Sequence, residues 1–227
     1  MNNTRNDVQT FIRFFKKNKL KNTIFGVAVP FVYLSDFEKL KNCKLGAQNV
    51  YQKEKGAYTG EISAAMLSEF DVYFCIVGHS ERRKNGETNS EINQKIKLLL
   101  NNNILPVLCI GETLEEYSNK KTKAVLKKQL KECLQDVDIS KIIIAYEPVW
   151  AIGTGKTPTK KEIVSICEFI KDFVFKSYNK NVKVLYGGSV NENNTEDLIG
   201  DKAVDGALVG GASLDVYKFF TIGKKAD

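Results

Sequence analysis

The stretch Ile142-Ile143-Ile144-Ala145-Tyr146-Glu147-Pro148-Val149-Trp150-Ala151-Ile152-Gly153-Thr154-Gly155-Lys156 decides how the rest of this sequence is read. Its isoleucines make a run too short for a helix and apolar on both faces, the pattern of a buried parallel strand. Glu147 follows directly at the C-terminal end of that strand. In α/β proteins ligands settle in the crevice at the carboxyl ends of the strands, so an acid delivered there is placed for chemistry; a solvated loop is the commoner fate of a glutamate. Pro148 stiffens the exit, and Gly153-Thr154-Gly155 supplies permissive backbone beyond the apolar tip Val149-Trp150-Ala151-Ile152, a composition that suits a hinged lid. Gly155-Lys156-Thr157 matches the close of a nucleotide-binding phosphate loop, but Trp150 stands where that motif requires its first glycine, which excludes the reading.

Working outward, the same strand-then-helix unit repeats. Short apolar runs at 24–30, 45–48, 72–77, 105–110, 141–146, 182–186 and 207–209 read as strands. Helical spacing or capping signals fall at 35–41, 63–70, 91–100, 114 to about 134, 160 to about 178 and 214–220. The first signal is itself a helix: Val8, Phe11, Ile12 and Phe15 share one face, with Thr4 placed to cap it. Strands alternating with helices at this spacing mean parallel β-α units. Seven strands preceded by a helix predict an eight-stranded β/α barrel, a TIM barrel, whose strand 1 is missing from the chain as given. No Ser/Pro/Gly-rich linker divides the sequence, which favours a single domain over 1–227.

Composition removes several classes of function. The 227 residues carry a formal charge of +7, but the lysines of 120–131 are scattered and interleaved near Glu115, Glu116 and Glu132, the pattern of a solvated helix face and not of a nucleic-acid stripe. The surplus does suit a small anionic substrate. Cys43, Cys75, Cys109, Cys133 and Cys167 are odd in number, widely spaced and without a C-x-x-C, as expected of reduced cytoplasmic thiols with no metal site. No apolar run has the length of a membrane span, and the polar start at Asn2 to Asp7 is not a signal peptide.

Polar residues and glycines gather at the strand ends: Gln48-Asn49, His79-Ser80-Glu81, Gly111-Glu112, Glu147, Gly187-Gly188-Ser189 and Gly210-Gly211. In a barrel these converge on one face. Late-strand glycines let backbone N–H groups approach an anion, so the last two strands with Gly153 read as a phosphate pocket; tight turns are the plainer explanation of any single Gly-Gly pair. His79 is the only histidine. A lone histidine is more often structural than functional, but a helix start behind it favours the neutral ring, able to donate a hydrogen bond.

The chain resembles the triosephosphate isomerase family. The resemblance rests on Gly46-Ala47-Gln48-Asn49, Tyr58-Thr59-Gly60-Glu61, Val77-Gly78-His79-Ser80-Glu81-Arg82-Arg83, Cys109-Ile110-Gly111-Glu112, Tyr146 to Lys156, Tyr186-Gly187-Gly188-Ser189-Val190 and Asp205-Gly206-Ala207-Leu208-Val209-Gly210-Gly211-Ala212-Ser213. It implies interconversion of dihydroxyacetone phosphate and D-glyceraldehyde 3-phosphate through an enediolate, without cofactor or metal, in glycolysis, gluconeogenesis and the pentose shunt. By the same resemblance Glu147 is the base, His79 polarises the carbonyl and shuttles protons, and Glu81 supports the site; this is the family's established assignment. Gly153, Ser189, Gly210 and Gly211 would hold the phosphate, and closure of 148–156 would exclude water. A cytoplasmic homodimer is implied, with the loop around Tyr58 and Thr59 entering the partner, and with no nucleic-acid or membrane partner.

The family pattern opens with a strand ending in Asn-x-Lys-Met-Asn, of which this chain carries only Met1-Asn2. The catalytic lysine of that motif therefore has no counterpart here. The expectation is that the working protein has further residues upstream of Met1, since an incomplete barrel leaves strand edges unpaired. The alternative is an N-terminally truncated, non-catalytic barrel retained as a phosphate-ligand-binding or interaction protein.

Overall fold

A computed structural model describes residues 2–38, 40–152 and 158–227. Its strands are β1 (Gly26–Val29), β2 (Lys44–Ala47), β3 (Phe74–Val77), β4 (Leu105–Ile110), β5 (Ile143–Tyr146), β6 (Lys183–Tyr186) and β7 (Gly206–Ala207), each inside or overlapping a run expected from the sequence. All neighbours pair in parallel and in chain order, so β1 and β7 are the edges of one seven-stranded sheet. Helices return between the strands, and the architecture is the α/β arrangement of a TIM barrel.

Alternation along the strands explains why their sequences are apolar throughout. In β4, Val107 and Cys109 join Ala145 in a small inner cluster with Phe74 and Leu185 around it, whereas Leu108 and Ile110 belong to the large cluster beneath the helices. On the β1 side the inner space is filled by Phe74, whose ring lies where a Cβ on Gly26 or Gly46 would sit, at 2.7 and 2.2 Å. Large and small residues are thus matched across three strands.

Capping boxes set four of the ten α-helix starts among the described residues. Thr4 donates to Asp7 ahead of α1 (Arg5–Lys17), and Val8, Phe11 and Phe15 are buried as the periodicity expects. The rings of Phe11 and Phe15 stack on each other at 4.9 Å and pack on Phe25 and Phe219 at centroid distances from 5.0 to 6.3 Å. Ser63 caps α3 (Ala64–Ser68), Thr88 caps α5 (Asn89–Asn101) and Thr159 caps α8 (Lys160–Tyr178). Lys95 of α5 is buried, pairs with Glu87 and donates to Asn49 Oδ1 at 2.8 Å, which ties this helix to the end of β2.

Several expectations need correcting. Residues 114–134 are two helices, α6 (Leu114–Ser118) and α7 (Thr122–Cys133), because Lys120 between them has φ 56°. Helix α2 (Leu34–Phe37) follows a 3₁₀ turn at Phe31–Tyr33 and is shorter than the helix expected at 35–41. Strand β7 ends at Ala207, two residues short of the expected run. The last helix, α10 (Val216–Lys225), is capped by Asp215 after a 3₁₀ turn at Gly211–Leu214. Two short helices, α4 (Ser80–Lys84) and α9 (Thr195–Ile199), have no periodic sequence to announce them.

Candidate active site

The backbone around Glu147 is gripped from both neighbouring strands. Its N–H donates to Ile110 O at 2.8 Å, and Gly187 N–H donates to Tyr146 O at 2.7 Å, so the ladder continues past the formal ends of β4, β5 and β6. Gly111 and Gly187 must be glycine for this approach. A Cβ on Gly111 would lie 1.7 Å from Glu147 O, and one on Gly187 would lie 2.8 Å from Glu147 Cγ. By its sequence pattern Gly187 reads as part of an anion-binding strand end; in the structure it is the wall against which the Glu147 side chain rests.

The carboxylate is only 3% exposed and already engaged. Oε2 accepts from Ser80 N–H at 3.0 Å, and Oε1 lies 3.2 Å from His79 Nε2. Burial raises the Glu147 pKa above the ordinary carboxylate value, while the His79 ring, Ser80 N–H, Cys109 and the Arg83 guanidinium oppose the rise. Burial likewise pushes the Cys109 thiol well up, with the Glu147 charge adding to the shift, so it remains a protonated donor.

His79 is the N-cap of α4, and its Nδ1 accepts from Glu81 N–H at 3.3 Å. An accepting Nδ1 leaves the ring proton on Nε2, the nitrogen that faces Glu147. Glu81 therefore reaches the site through its backbone; its side chain is exposed. Gly78, with φ +69°, turns the chain between β3 and His79, and its carbonyl is held by Arg83 Nε at 2.7 Å. Arg83 Nη2 also donates to Cys109 O at 2.9 Å, so one guanidinium aligns the ends of β3 and β4. Ser80, Cys109 and Arg83 were not assigned roles from the sequence, although all three lie inside the quoted motifs.

The chain leaving Glu147 is not a loose apolar tip. Val149–Ala151 is a 3₁₀ turn with Trp150 and Ala151 buried. Glu112, fully buried, receives Val149 N–H on its carbonyl at 3.1 Å and both Trp150 Nε1 and Tyr146 Oη on Oε1, at 2.8 and 3.1 Å. Burial raises the Glu112 pKa against these donors. Gly153 and the remaining lid residues through Lys156 lie outside the described residues. Ser189 and Gly210-Gly211 follow β6 and β7 and are exposed; Ser189 Oγ lies 3.5 Å from Ala151 O. Among the described residues no cluster of three or more His, Cys, Asp or Glu has the arrangement of a metal site.

Residues 1–226 match the family described as triosephosphate isomerase. The chain belongs to the triosephosphate isomerase family. Curated relatives of that name agree over nearly the whole length. A triosephosphate isomerase of Mesomycoplasma hyorhinis is 48% identical over 98% of this chain and 93% of its own. One from Mycoplasmopsis pulmonis is 46% identical over the same shares, and one from Dehalococcoides mccartyi is 43% identical over 100% and 93%. Like these relatives the chain is an isomerase by family, and the family implies a phosphorylated triose as substrate and a place in glycolysis. Among the described residues no helix is long and apolar enough to cross a membrane.

Proposed function

We propose that this chain interconverts dihydroxyacetone phosphate and D-glyceraldehyde 3-phosphate, acting as one domain over its whole length. The observation that carries the reading is the 3.2 Å approach of the buried Glu147 Oε1 to His79 Nε2 at the C-terminal ends of the strands. A two-carbon hydroxycarbonyl unit that parts this contact and takes its place between the two side chains meets a base and a hydrogen-bond donor at once. The carbon-bound proton passes to the Glu147 carboxylate, its electron pair forms the enediolate double bond, and the developing oxyanion is met by Nε2–H. The His79 ring gives its Nε2 proton to that oxygen and takes the hydroxyl proton from the neighbouring one; return of the proton from Glu147 to the adjacent carbon then gives the isomer, so neither electrons nor cofactor need be supplied. A carboxylate whose pKa is raised by burial is a stronger base for this step than a solvated one. This division of roles is the family's established one.

The remaining assignments follow from the same reading. Gly210 and Gly211 have no heavy atom within 4 Å of an added Cβ, which leaves backbone that a phosphate can approach, with Ser189 beside it. Tyr58 and Met66 are exposed at 40% and 50%, as suits a homodimer contact made by the loop around Tyr58 and Thr59. Five buried, unpaired cysteines suit a reducing cytoplasm. No observation favours a non-catalytic barrel.

A coupled isomerase assay in both directions tests the reading beside Glu147→Gln. Turnover by the wild-type chain, with a loss of about a thousandfold in kcat in the variant and an unchanged melting temperature, is expected. An inactive, folded wild type, or a variant as fast as wild type, overturns it.

A further inference from the structure

The break at Lys120 isolates α6 as a single turn, and that turn carries Tyr117 to a place no periodic pattern indicates. Tyr117 touches both chain segments that flank residues 153–157. On one side its ring stacks on Trp150, with centroids 4.1 Å apart and planes at 25°. On the other its hydroxyl donates to Glu162 Oε1 at 3.0 Å, in the first turn of α8. Both anchors are themselves held. Glu162 Oε2 closes the capping box with Thr159, and Trp150 is bound through Nε1 to Glu112. The turn bearing Tyr117 is fixed by its own box, Thr113 with Glu116, and by Lys121 N–H on Glu116 O at 2.8 Å.

We propose that Tyr117 is a positioning residue for the isomerase reaction: it clamps Trp150 to the start of α8 and so fixes the backbone that leaves Glu147. The proposal rests on the isomerase reading above. Tyr117 is 36% exposed and belongs to neither core cluster. What it adds is geometric. Glu112 holds the 3₁₀ turn from the buried side and Tyr117 holds it from the outer side, leaving Trp150 between two fixed groups. Because Trp150 stands three residues beyond Glu147, a shift of its ring is transmitted along Val149 and Pro148 to the carboxylate. Misplacement of a reacting group by a fraction of an ångström is enough to move kcat.

Trp150 is the only tryptophan, so its emission reports the stack directly. Two variants separate the two contacts: Tyr117→Phe keeps the ring and loses the bond to Glu162, and Tyr117→Leu loses both. Each is compared with wild type for tryptophan emission, melting temperature, kcat and KM. In Tyr117→Leu the emission should shift and kcat fall about tenfold, with KM and melting temperature little changed. In Tyr117→Phe the emission should stay and kcat fall by a factor of about two or three. A Leu variant with shifted emission and wild-type kcat overturns the proposal, as does one that loses kcat only in proportion to lost melting temperature. An inactive wild type defeats the isomerase reading, and this proposal with it; an active wild type with indifferent variants defeats this proposal alone.

Discussion

The end of β5 and the ends of β6 and β7 share one sheet and one direction, yet they are built in opposite ways. Around Glu147 the backbone is left no freedom: bonds from two strands, two glycines pressed against the residue, a donor on Oε2 and the His79 ring 3.2 Å from Oε1. Around Gly210 and Gly211 the backbone is exposed and nothing lies within 4 Å of an added Cβ. The contrast follows from what each end must do. A base is effective only where its direction and protonation are fixed before substrate arrives, whereas an anion-binding backbone is completed by the anion itself.

The contrast is broken most severely by Gly111→Ala. A methyl 1.7 Å from a backbone oxygen cannot be absorbed by rotating a side chain, so β4 and β5 must separate; a loss of about 3 kcal/mol is expected in denaturant unfolding. Gly187→Ala strikes the same residue more gently, since its methyl would meet the Glu147 side chain at 2.8 Å. Here the fold should survive in far-UV circular dichroism while kcat falls about a hundredfold.

The pH dependence sharpens the comparison. Because burial raises the Glu147 pKa in the folded chain, the folded state holds that proton more tightly than the unfolded one. The corresponding stabilisation is present below the unfolded value, about 4.3, and is lost as pH rises through the folded value. Activity runs the other way, since the base must be ionised. The acid limb of kcat/KM should therefore lie above the ordinary carboxylate range, and removing the opposing guanidinium in Arg83→Met should move it further up. The smallest effect belongs to the open end: Gly211→Ala should leave stability within about 0.5 kcal/mol and raise KM for the phosphorylated substrate a few-fold. A Gly211 variant that unfolds, or a Gly111 variant that does not, would erase the distinction between the two ends.

The sequence made much of this legible because strands buried on both faces and the helical spacing of Val8, Phe11, Ile12 and Phe15 are local patterns. The runs ending at Tyr146 and Val77 place Glu147 and His79 without any contact information. What escaped depends on contacts across the fold. The break at Lys120 is one residue in a left-handed conformation inside an otherwise helical composition, so residues 114–134 read as one helix and no pattern singles out Tyr117. Helix α9 spans five residues in a polar stretch, too short for any periodicity. Gly187 looked like a phosphate glycine because a one-dimensional pattern cannot say whether a missing side chain makes room for a ligand or for a neighbouring carboxylate.

The central claim is that His79 presents a protonated Nε2 to Glu147 while Nδ1 accepts from the α4 backbone. Since His79 is the only histidine, a long-range ¹⁵N–¹H correlation spectrum of the imidazole is free of overlap from other rings. At neutral pH the account predicts one nitrogen with the shift of a bare acceptor, Nδ1, and one with that of a protonated donor, Nε2. A proton on Nδ1 would contradict it, because the ring would then have no donor to offer a carbonyl held beside Glu147.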